Sequence, residues 1–182
     1  PQPLLKLSFV EIINLSNNKI KIVPDLSKAK WDTIEELHLT GNIIEHLPDN
    51  ILETAYLFDF SFNPLKELPS YLDGDYHSLS IFYDLEQLRP ISKPLSEYYH
   101  SEVSVYCNRV LVSNKWRKEP LKNWQSKWLL ETDNAEEKSL LIQVLGYEKI
   151  MKDLDAGLIH HDQDSSGNSM ELVRLKQSID IE

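Results

Sequence analysis

The chain has 182 residues, of which 41% are hydrophobic and 26% are charged, a composition typical of a soluble globular protein. Its formal net charge of −10 argues against a general nucleic-acid-binding protein, because affinity for phosphate requires a concentrated positive field. The sequence has no run of about 18 apolar residues and no signal-peptide pattern, and its single cysteine, Cys107, excludes an intrachain disulfide. We therefore expect a cytoplasmic protein with no membrane span.

A twelve-residue pattern recurs in the first half of the chain. It fits the template L-x-L-x-x-N-x-L-x-x-L-P in three segments: INLSNNKIKIVP (13–24), LHLTGNIIEHLP (37–48) and FDFSFNPLKELP (58–69). The template asparagines Asn18, Asn42 and Asn63 are 24 and 21 residues apart. A fourth repeat, in which Asp84 stands at the asparagine position, lacks the next apolar residue and is predicted to end the array.

The asparagine has a structural explanation. Two alternating apolar residues predict a short strand, after which the chain must turn while it is still packed against its neighbours. Each backbone group that loses water there without a new partner costs roughly 1–3 kcal/mol. An Asn amide both donates and accepts. We therefore predict that Asn42 bonds the backbone of its own and of the adjacent repeat, and that it contacts no ligand.

Residues 9–90 resemble leucine-rich-repeat proteins on these three segments. The resemblance implies an α/β fold: a short solenoid of three to four coils with a parallel sheet on its concave side. It also implies a non-catalytic protein that binds a protein partner through that sheet, with no cofactor and no metal ion. It does not identify the partner.

The period of two predicts which strand residues point away from the core. The predicted partner-binding residues alternate with the buried positions of the four strands, and they are Ile12, Asn14, Glu36, His38, Leu57, Asp59, Ser80 and Phe82. Small polar groups mixed with apolar anchors are common on recognition surfaces. A solvated sheet face without a partner is the alternative. His38 beside Asp59 suggests a general base, but no nucleophile accompanies the pair in the sequence.

Residues 91–182 predict an α+β module that caps the solenoid, following a first domain at 1–90. Val103, Val105, Val110 and Val112 flank Cys107-Asn108, which predicts a β-hairpin that turns at this pair. A helix is predicted after Pro120, since Trp124 and Trp128 stand at helical spacing.

A second helix is predicted to start at a capping box of Asp133 and Glu136. Gly146 would end or kink this helix, and Gly157 would close it. The segment ELVRLKQSIDI (171–181) predicts a final strand.

This second half resembles an uncharacterised bacterial domain that follows leucine-rich repeats. The resemblance covers roughly residues 103–182 and depends on Asn134-Ala135-Glu136 and on Leu145-Gly146-Tyr147-Glu148. Members of that family usually carry paired arginines after the first of these motifs, where this chain has Lys138-Ser139. The resemblance implies no known activity.

Three further patterns suggest sites. Asp162, Asp164, Ser166 and Gly167 begin like a calcium-binding EF-hand loop, but the twelfth position is Val173 instead of a bidentate Glu, which favours a polar turn. His160-His161 would point in opposite directions on an extended chain, which argues against zinc chelation by the pair.

The third pattern lies at 115–128, where basic residues interleave with Trp116, Trp124 and Trp128. It suggests single-stranded nucleic-acid binding as an alternative function, although the same tryptophans would serve as a core. A second alternative, an enzyme with its site in the C-terminal module, has no catalytic motif to support it.

Overall fold

The computed structural model of the chain describes residues 9–26, 34–71 and 78–161, with side chains through Asp155. Two compact parts divide between Asn123 and Trp124. The described part of the chain contains six strands: β1 (Ile12–Asn14), β2 (Glu36–His38), β3 (Leu57–Asp59), β4 (Ser80–Tyr83), β5 (Ser104–Cys107) and β6 (Val110–Leu111). It also contains three α-helices: α1 (Leu85–Leu88), α2 (Ala135–Leu145) and α3 (Tyr147–His161). The apolar residues Leu4, Leu5 and Leu7 predict a partial cap on the first repeat, but they lie outside the described residues.

The six strands form one sheet in chain order. β1 to β5 pair in parallel, and β6 pairs antiparallel to β5. The strand centres align in register and are all buried, in the column Ile13, Leu37, Phe58, Ile81 and Val105. The predicted α/β class with a parallel sheet is thereby confirmed for the described residues.

Asn42 is buried and bonds two repeats at once, as the sequence predicts. Its Nδ2 donates to the carbonyl oxygen of Leu39 in its own repeat at 2.8 Å and to that of Leu15 in the preceding repeat at 3.0 Å. Its Oδ1 accepts a hydrogen bond from the backbone N–H of Ile20 at 3.0 Å. The N–H of Ile20 depends on Asn42 for its hydrogen bond, whereas the carbonyl oxygens of Leu39 and Leu15 also accept from Asn63 and Asn18.

Asn63 repeats this arrangement one strand further along the sheet. Its Nδ2 bonds the carbonyl oxygens of Phe60 and Leu39, and its Oδ1 accepts from the N–H of Ile44 at 3.1 Å. Asn18 differs, because it is exposed and its Nδ2 bonds only carbonyl oxygens of its own repeat, those of Leu15 and Ser16.

The predicted register of the fourth repeat is wrong by two residues. Ile81 stands beside Phe58, which places Tyr83 beside Phe60, so 23 residues separate the third strand from the fourth. The amide at the turn comes from Gln87, whose Nε2 bonds the Phe60 carbonyl oxygen at 2.8 Å. Asp84, predicted at the asparagine position, instead caps helix α1 in a reciprocal capping box with Gln87.

The parallel array also extends beyond the fourth repeat, where the sequence predicted its end. β5 pairs parallel to β4 over four residues, so the chain returns to the sheet once more after the segment 84–103. The predicted hairpin is confirmed between β5 and β6, but its turn is Asn108-Arg109 rather than Cys107-Asn108. Both turn residues have positive φ angles of 47° and 69°, the backbone that a tight two-residue hairpin turn requires, whereas Cys107 is buried in the strand.

The domain limits 1–90 and 91–182 stay a prediction, and the structure adds that β5 and β6 belong to the same sheet as β1 to β4.

Arg117, which follows β6 in the chain, is almost fully buried. Its guanidinium donates to the carbonyl oxygens of Val103, Tyr99 and His100 at 2.5–2.9 Å, and these bonds hold the segment before β5 in place.

The described residues of the C-terminal part are helical. α2 and α3 bury an apolar stripe that includes Leu140, Leu141, Val144, Ile150 and Leu154. The predicted final strand at 171–181 lies outside the described residues. The helix predicted after Pro120 is wrong: two short 3-10 turns, Leu121–Asn123 and Ser126–Leu130, flank Gln125, whose extended backbone interrupts any helix.

Two of the predicted helix limits are also corrected. The N-cap of α2 is Asn134, whose Oδ1 accepts from the backbone N–H groups of Glu136 and Glu137, so Asp133 and Glu136 form no capping box. Gly146 ends α2 with a φ of 82°, one of the two predicted outcomes. Gly157 does not close the next helix, because α3 continues through His161.

Replacing Asn42 by Leu should lower the free energy of unfolding by about 2 kcal/mol, because it leaves the Ile20 N–H without its partner and removes a hydrogen bond from the Leu15 carbonyl oxygen. Thr40→Ala is the control, since the buried Oγ1 of Thr40 lies near the Asp59 carboxylate but makes no hydrogen bond of good geometry among the described residues, and it should cost less than about 1 kcal/mol. Urea unfolding followed by circular dichroism measures both. Equal losses for the two variants would contradict the role of Asn42.

Asn134→Ala should destabilise the chain by about 1 kcal/mol, because it removes the side chain that caps α2. Asp133→Ala should leave the free energy of unfolding within about 0.5 kcal/mol of the wild type. Urea midpoints of the two variants decide between the observed cap and the predicted one. A larger loss for Asp133→Ala would restore the sequence-based assignment.

Candidate functional site

The structure brings all eight predicted partner-binding residues onto one side of the sheet, which we call the outward face. They form two columns along the strand register: Ile12, Glu36, Leu57 and Ser80 in the first, and Asn14, His38, Asp59 and Phe82 in the second. Ile12 is 55% exposed, and Leu57 and Phe82 are half-buried. The alternation that predicted this face is confirmed, apart from the two-residue shift that aligns Phe82 rather than Ser80 with Asp59.

Asp59 is not a free side chain of this face, since it is only 2% exposed. Its Oδ2 accepts a hydrogen bond from Nη2 of Arg109 at 2.6 Å, and its Oδ1 accepts one from the N–H of Ser61 at 3.1 Å. His38 stands beside Asp59 in the strand register, as expected, but the two side chains form no ion pair. Nε2 of His38 instead lies 2.7 Å from Oε2 of Glu36 on the same strand.

Two residues of the outward face were missed at the sequence level, Tyr106 and Arg109. The rings of Tyr106 and Phe82 stack with centroids 4.3 Å apart and planes at 9°. The Arg109 guanidinium lies over the Phe82 ring, 5.0 Å from its centroid, while its side chain is 62% exposed. Val105 stands 24 residues after Ile81 within an apolar alternation, a signal that would have revealed this fifth strand.

The pKa of the Asp59 carboxyl lies below its usual range, although its causes oppose one another. Burial acts to raise this pKa, but hydrogen bonding by Ser61, the nearby Thr40 hydroxyl and the positive charge of Arg109 together outweigh burial. The carboxylate is therefore ionised at neutral pH. It fixes one edge of the Arg109 guanidinium and so orders the cation on the surface.

The described residues present no metal-binding cluster. No group of three or more His, Cys, Asp or Glu side chains among them is arranged to hold a metal ion. The thiol of Cys107 is buried, and burial raises its pKa to about 12, so it is not a nucleophile at neutral pH.

The tryptophan-rich segment is packed rather than displayed. Trp116, Trp124 and Trp128 are buried, and Trp124 and Trp128 have ring centroids 6.0 Å apart. Arg117 is also buried, which leaves the lysines of this segment as its exposed cations. The nucleic-acid alternative depended on bases that stack on these three rings. Because the rings are buried, they offer no exposed surface for such stacking.

The remaining candidate sites fall at the end of the described chain. His160 and His161 belong to α3, not to an extended segment as the zinc argument assumed. The loop that resembles the start of an EF-hand, beginning at Asp162, lies outside the described residues.

Comparison with known proteins identifies no relative. No protein family, no curated protein and no solved structure matches the chain. Among the described residues, no helix combines the length and apolar character needed to cross a bilayer.

The lowered pKa of Asp59 predicts a specific pH dependence. Its ionised form stabilises the fold fully above its unfolded pKa of about 3.9, and this contribution disappears as the pH falls through the lower folded pKa. The difference in unfolding free energy between wild type and Asp59→Asn should therefore be constant from about pH 7 to 5 and shrink below about pH 4. Urea unfolding of both proteins at each pH measures this difference. A difference at about pH 3 that is as large as the one at about pH 7 would contradict the assignment.

Proposed function

We propose that the N-terminal part is a leucine-rich-repeat solenoid whose outward face is its concave side and binds a protein partner. The recurrent template, the parallel strands in chain order and the amides that bridge successive turns support this proposal. Such repeats expose a broad, rigid surface made of one short strand from each coil. We further propose that the protein is non-catalytic and cytoplasmic.

The observation that carries the binding proposal is the ordered cluster of Phe82, Tyr106 and Arg109 at one end of the outward face. Aromatic residues and arginine dominate the binding energy of protein interfaces when they are held in place before the partner arrives. Here the stacked rings and the Asp59 carboxylate fix the Arg109 guanidinium. The exposed edge of the Arg109 guanidinium is therefore already ordered, so that contact with a partner there costs little further side-chain entropy.

The apolar side chains Ile12 and Leu57 extend this surface along the first column of the face. Ile12 lies on β1 at one end of the sheet, and the Phe82 cluster lies on β4 and β5 towards the other. Parallel strands lie about 4.8 Å apart, so five of them span roughly 19 Å. Because these strands have three or four residues and are only about 10–13 Å long, a partner of standard interface size would also contact residues that flank the strands.

We expect a partner that binds the outward face to bind much less to variants with a substitution on that face. Affinity purification of the wild-type chain should enrich a protein whose recovery falls about tenfold or more with Leu57→Asp and with Tyr106→Ala. The control is Ile22→Asp, which changes an equally apolar residue that is 74% exposed and lies outside the strands, and it should retain the protein. Quantitative mass spectrometry gives the readout, with circular dichroism to confirm that each variant is folded.

The proposal fails if the enriched proteins bind Leu57→Asp and Tyr106→Ala as well as they bind the wild type, or if only Ile22→Asp loses them. A partner that passes this test should then bind the purified chain in calorimetry with the same order of variants. Binding of RNA by the wild type, sensitive to salt and lost on changing the lysines near Trp116, would instead support the nucleic-acid alternative.

A further inference from the structure

A second surface lies at the edge of the sheet where β3, β4 and β5 end. A groove of about 530 Å³ is formed there by residues that directly follow these strands: Phe62, Asn63, Pro64, Leu65, Asp84, Leu85, Glu86, Gln87 and Asn108. None of them belongs to the outward face. The groove therefore raises a question separate from the proposed binding of a partner to the sheet.

Phe62 is the unusual member of this groove. It has a φ of 58°, in the left-handed region that is costly for a bulky residue, and it is 68% exposed. The equivalent positions of the first two repeats carry Asn17 and Gly41, with φ angles of 56° and 68°. Asn and Gly adopt this backbone readily, and a Cβ at Gly41 would lie 2.5 Å from Oδ1 of Asn17.

The turn itself requires the left-handed backbone at this position. The N–H groups of Asn17 and Gly41 donate to carbonyl oxygens of the next repeat, and the N–H of Phe62 donates to Oδ2 of Asp84 at 2.6 Å. The following residue, Asn63, is fixed by its own amide bonds. The fold thus holds an aromatic side chain in a strained conformation and exposes it, although Asn or Gly would fit the same turn without strain. This strained and exposed residue motivates a hypothesis of function, which the chemistry of the groove must support.

The chemistry of the groove indicates its ligand. Phe62, Pro64, Leu65 and Leu85 provide apolar walls, and both charged lining residues, Asp84 and Glu86, are acidic. Asp84 is satisfied by the N–H groups of Phe62 and Gln87, whereas Glu86 is exposed and makes only a 3.5 Å surface contact with Arg89. Such an exposed ion pair contributes little and exchanges easily.

We propose that this groove binds an arginine or lysine side chain from an extended segment of a partner protein. The aliphatic stem and cation lie on the Phe62 ring, and the charged head meets the Glu86 carboxylate. The chain already contains this combination elsewhere: Arg109 lies over the Phe82 ring while it pairs with Asp59. The net charge of −10 further favours a basic partner.

Blocked tripeptides test the proposal directly. Acetyl-Leu-Arg-Leu-amide and its lysine counterpart should shift the amide NMR resonances of residues 62–65 and 84–87 with a Kd of about 1 mM, and the glutamate counterpart should not. Phe62→Asn and Glu86→Gln should each weaken arginine-peptide binding about fivefold or more. Ile22→Asn, an exposed apolar residue outside the groove, is the matched control and should bind like the wild type.

Stability provides a second readout that a purely structural role of Phe62 would not give. Phe62→Asn should melt at a temperature no lower than the wild type, because relief of the strained backbone offsets the lost ring contacts. A lower melting temperature, or arginine-peptide binding unaffected by Phe62→Asn, would overturn the proposal. So would the absence of any shift at about 10 mM peptide, or equal binding of the glutamate peptide.

Self-association is the competing use of the groove. Sedimentation of the wild type and of Phe62→Asn over a range of concentrations separates the two. A monomer in both cases supports a partner peptide, whereas a dimer that only the wild type forms would show that a second copy of this chain occupies the groove and would overturn the proposal.

Discussion

The side-chain amides of Asn42, Asn63 and Gln87 tie each turn of the chain to the one before it. No strand in the described part of the chain has more than four residues, so the ladder between strands is too short to hold the turns that follow. Those turns bring backbone N–H and C=O groups into the packed interior, where each unpaired group is costly. An amide is the side chain that both donates and accepts, and one such group at each corner satisfies two successive repeats.

This constraint also shapes both candidate binding surfaces. Because the corners are fixed, the strands stay in register, and their alternate side chains form columns on the outward face. The same corners impose a left-handed residue just before each asparagine, at Asn17, Gly41 and Phe62. Comparison of the three repeats therefore shows both the rule, a left-handed residue before the asparagine, and its unusual third instance, Phe62.

The sequence predicted the parts of the fold that local chemistry determines. The template located Asn42 and Asn63 and the register of the first three strands, because strand, turn and amide are encoded within twelve residues. It failed where longer-range contacts decide. In the observed register, Glu86 occupies the asparagine position of the template. The amide comes from the next residue, Gln87, which reaches the Phe60 carbonyl oxygen from inside a short helix. A pattern of asparagines could not reveal this residue.

The site was predicted in outline, and its most ordered cluster was missed. The alternation identified Phe82 and Asp59, but Asp59 is buried and pairs with Arg109, which is 50 residues away in the chain. Tyr106 and Arg109 were missed because the array was predicted to end one strand early, at a repeat whose Glu86 breaks the apolar pattern. The pairing of Asp59 with Arg109 follows from tertiary structure and has no signature in local spacing.

Amide hydrogen exchange at Ile20 and Ile44 tests the central claim most directly. Neither residue lies in a strand, and the N–H of each bonds the Oδ1 of an asparagine in the next repeat. If those amides join the repeats, both N–H groups should exchange as slowly as the amides of the central strands in NMR measurements. Rapid exchange at Ile20 and Ile44 beside protected strands would contradict the account.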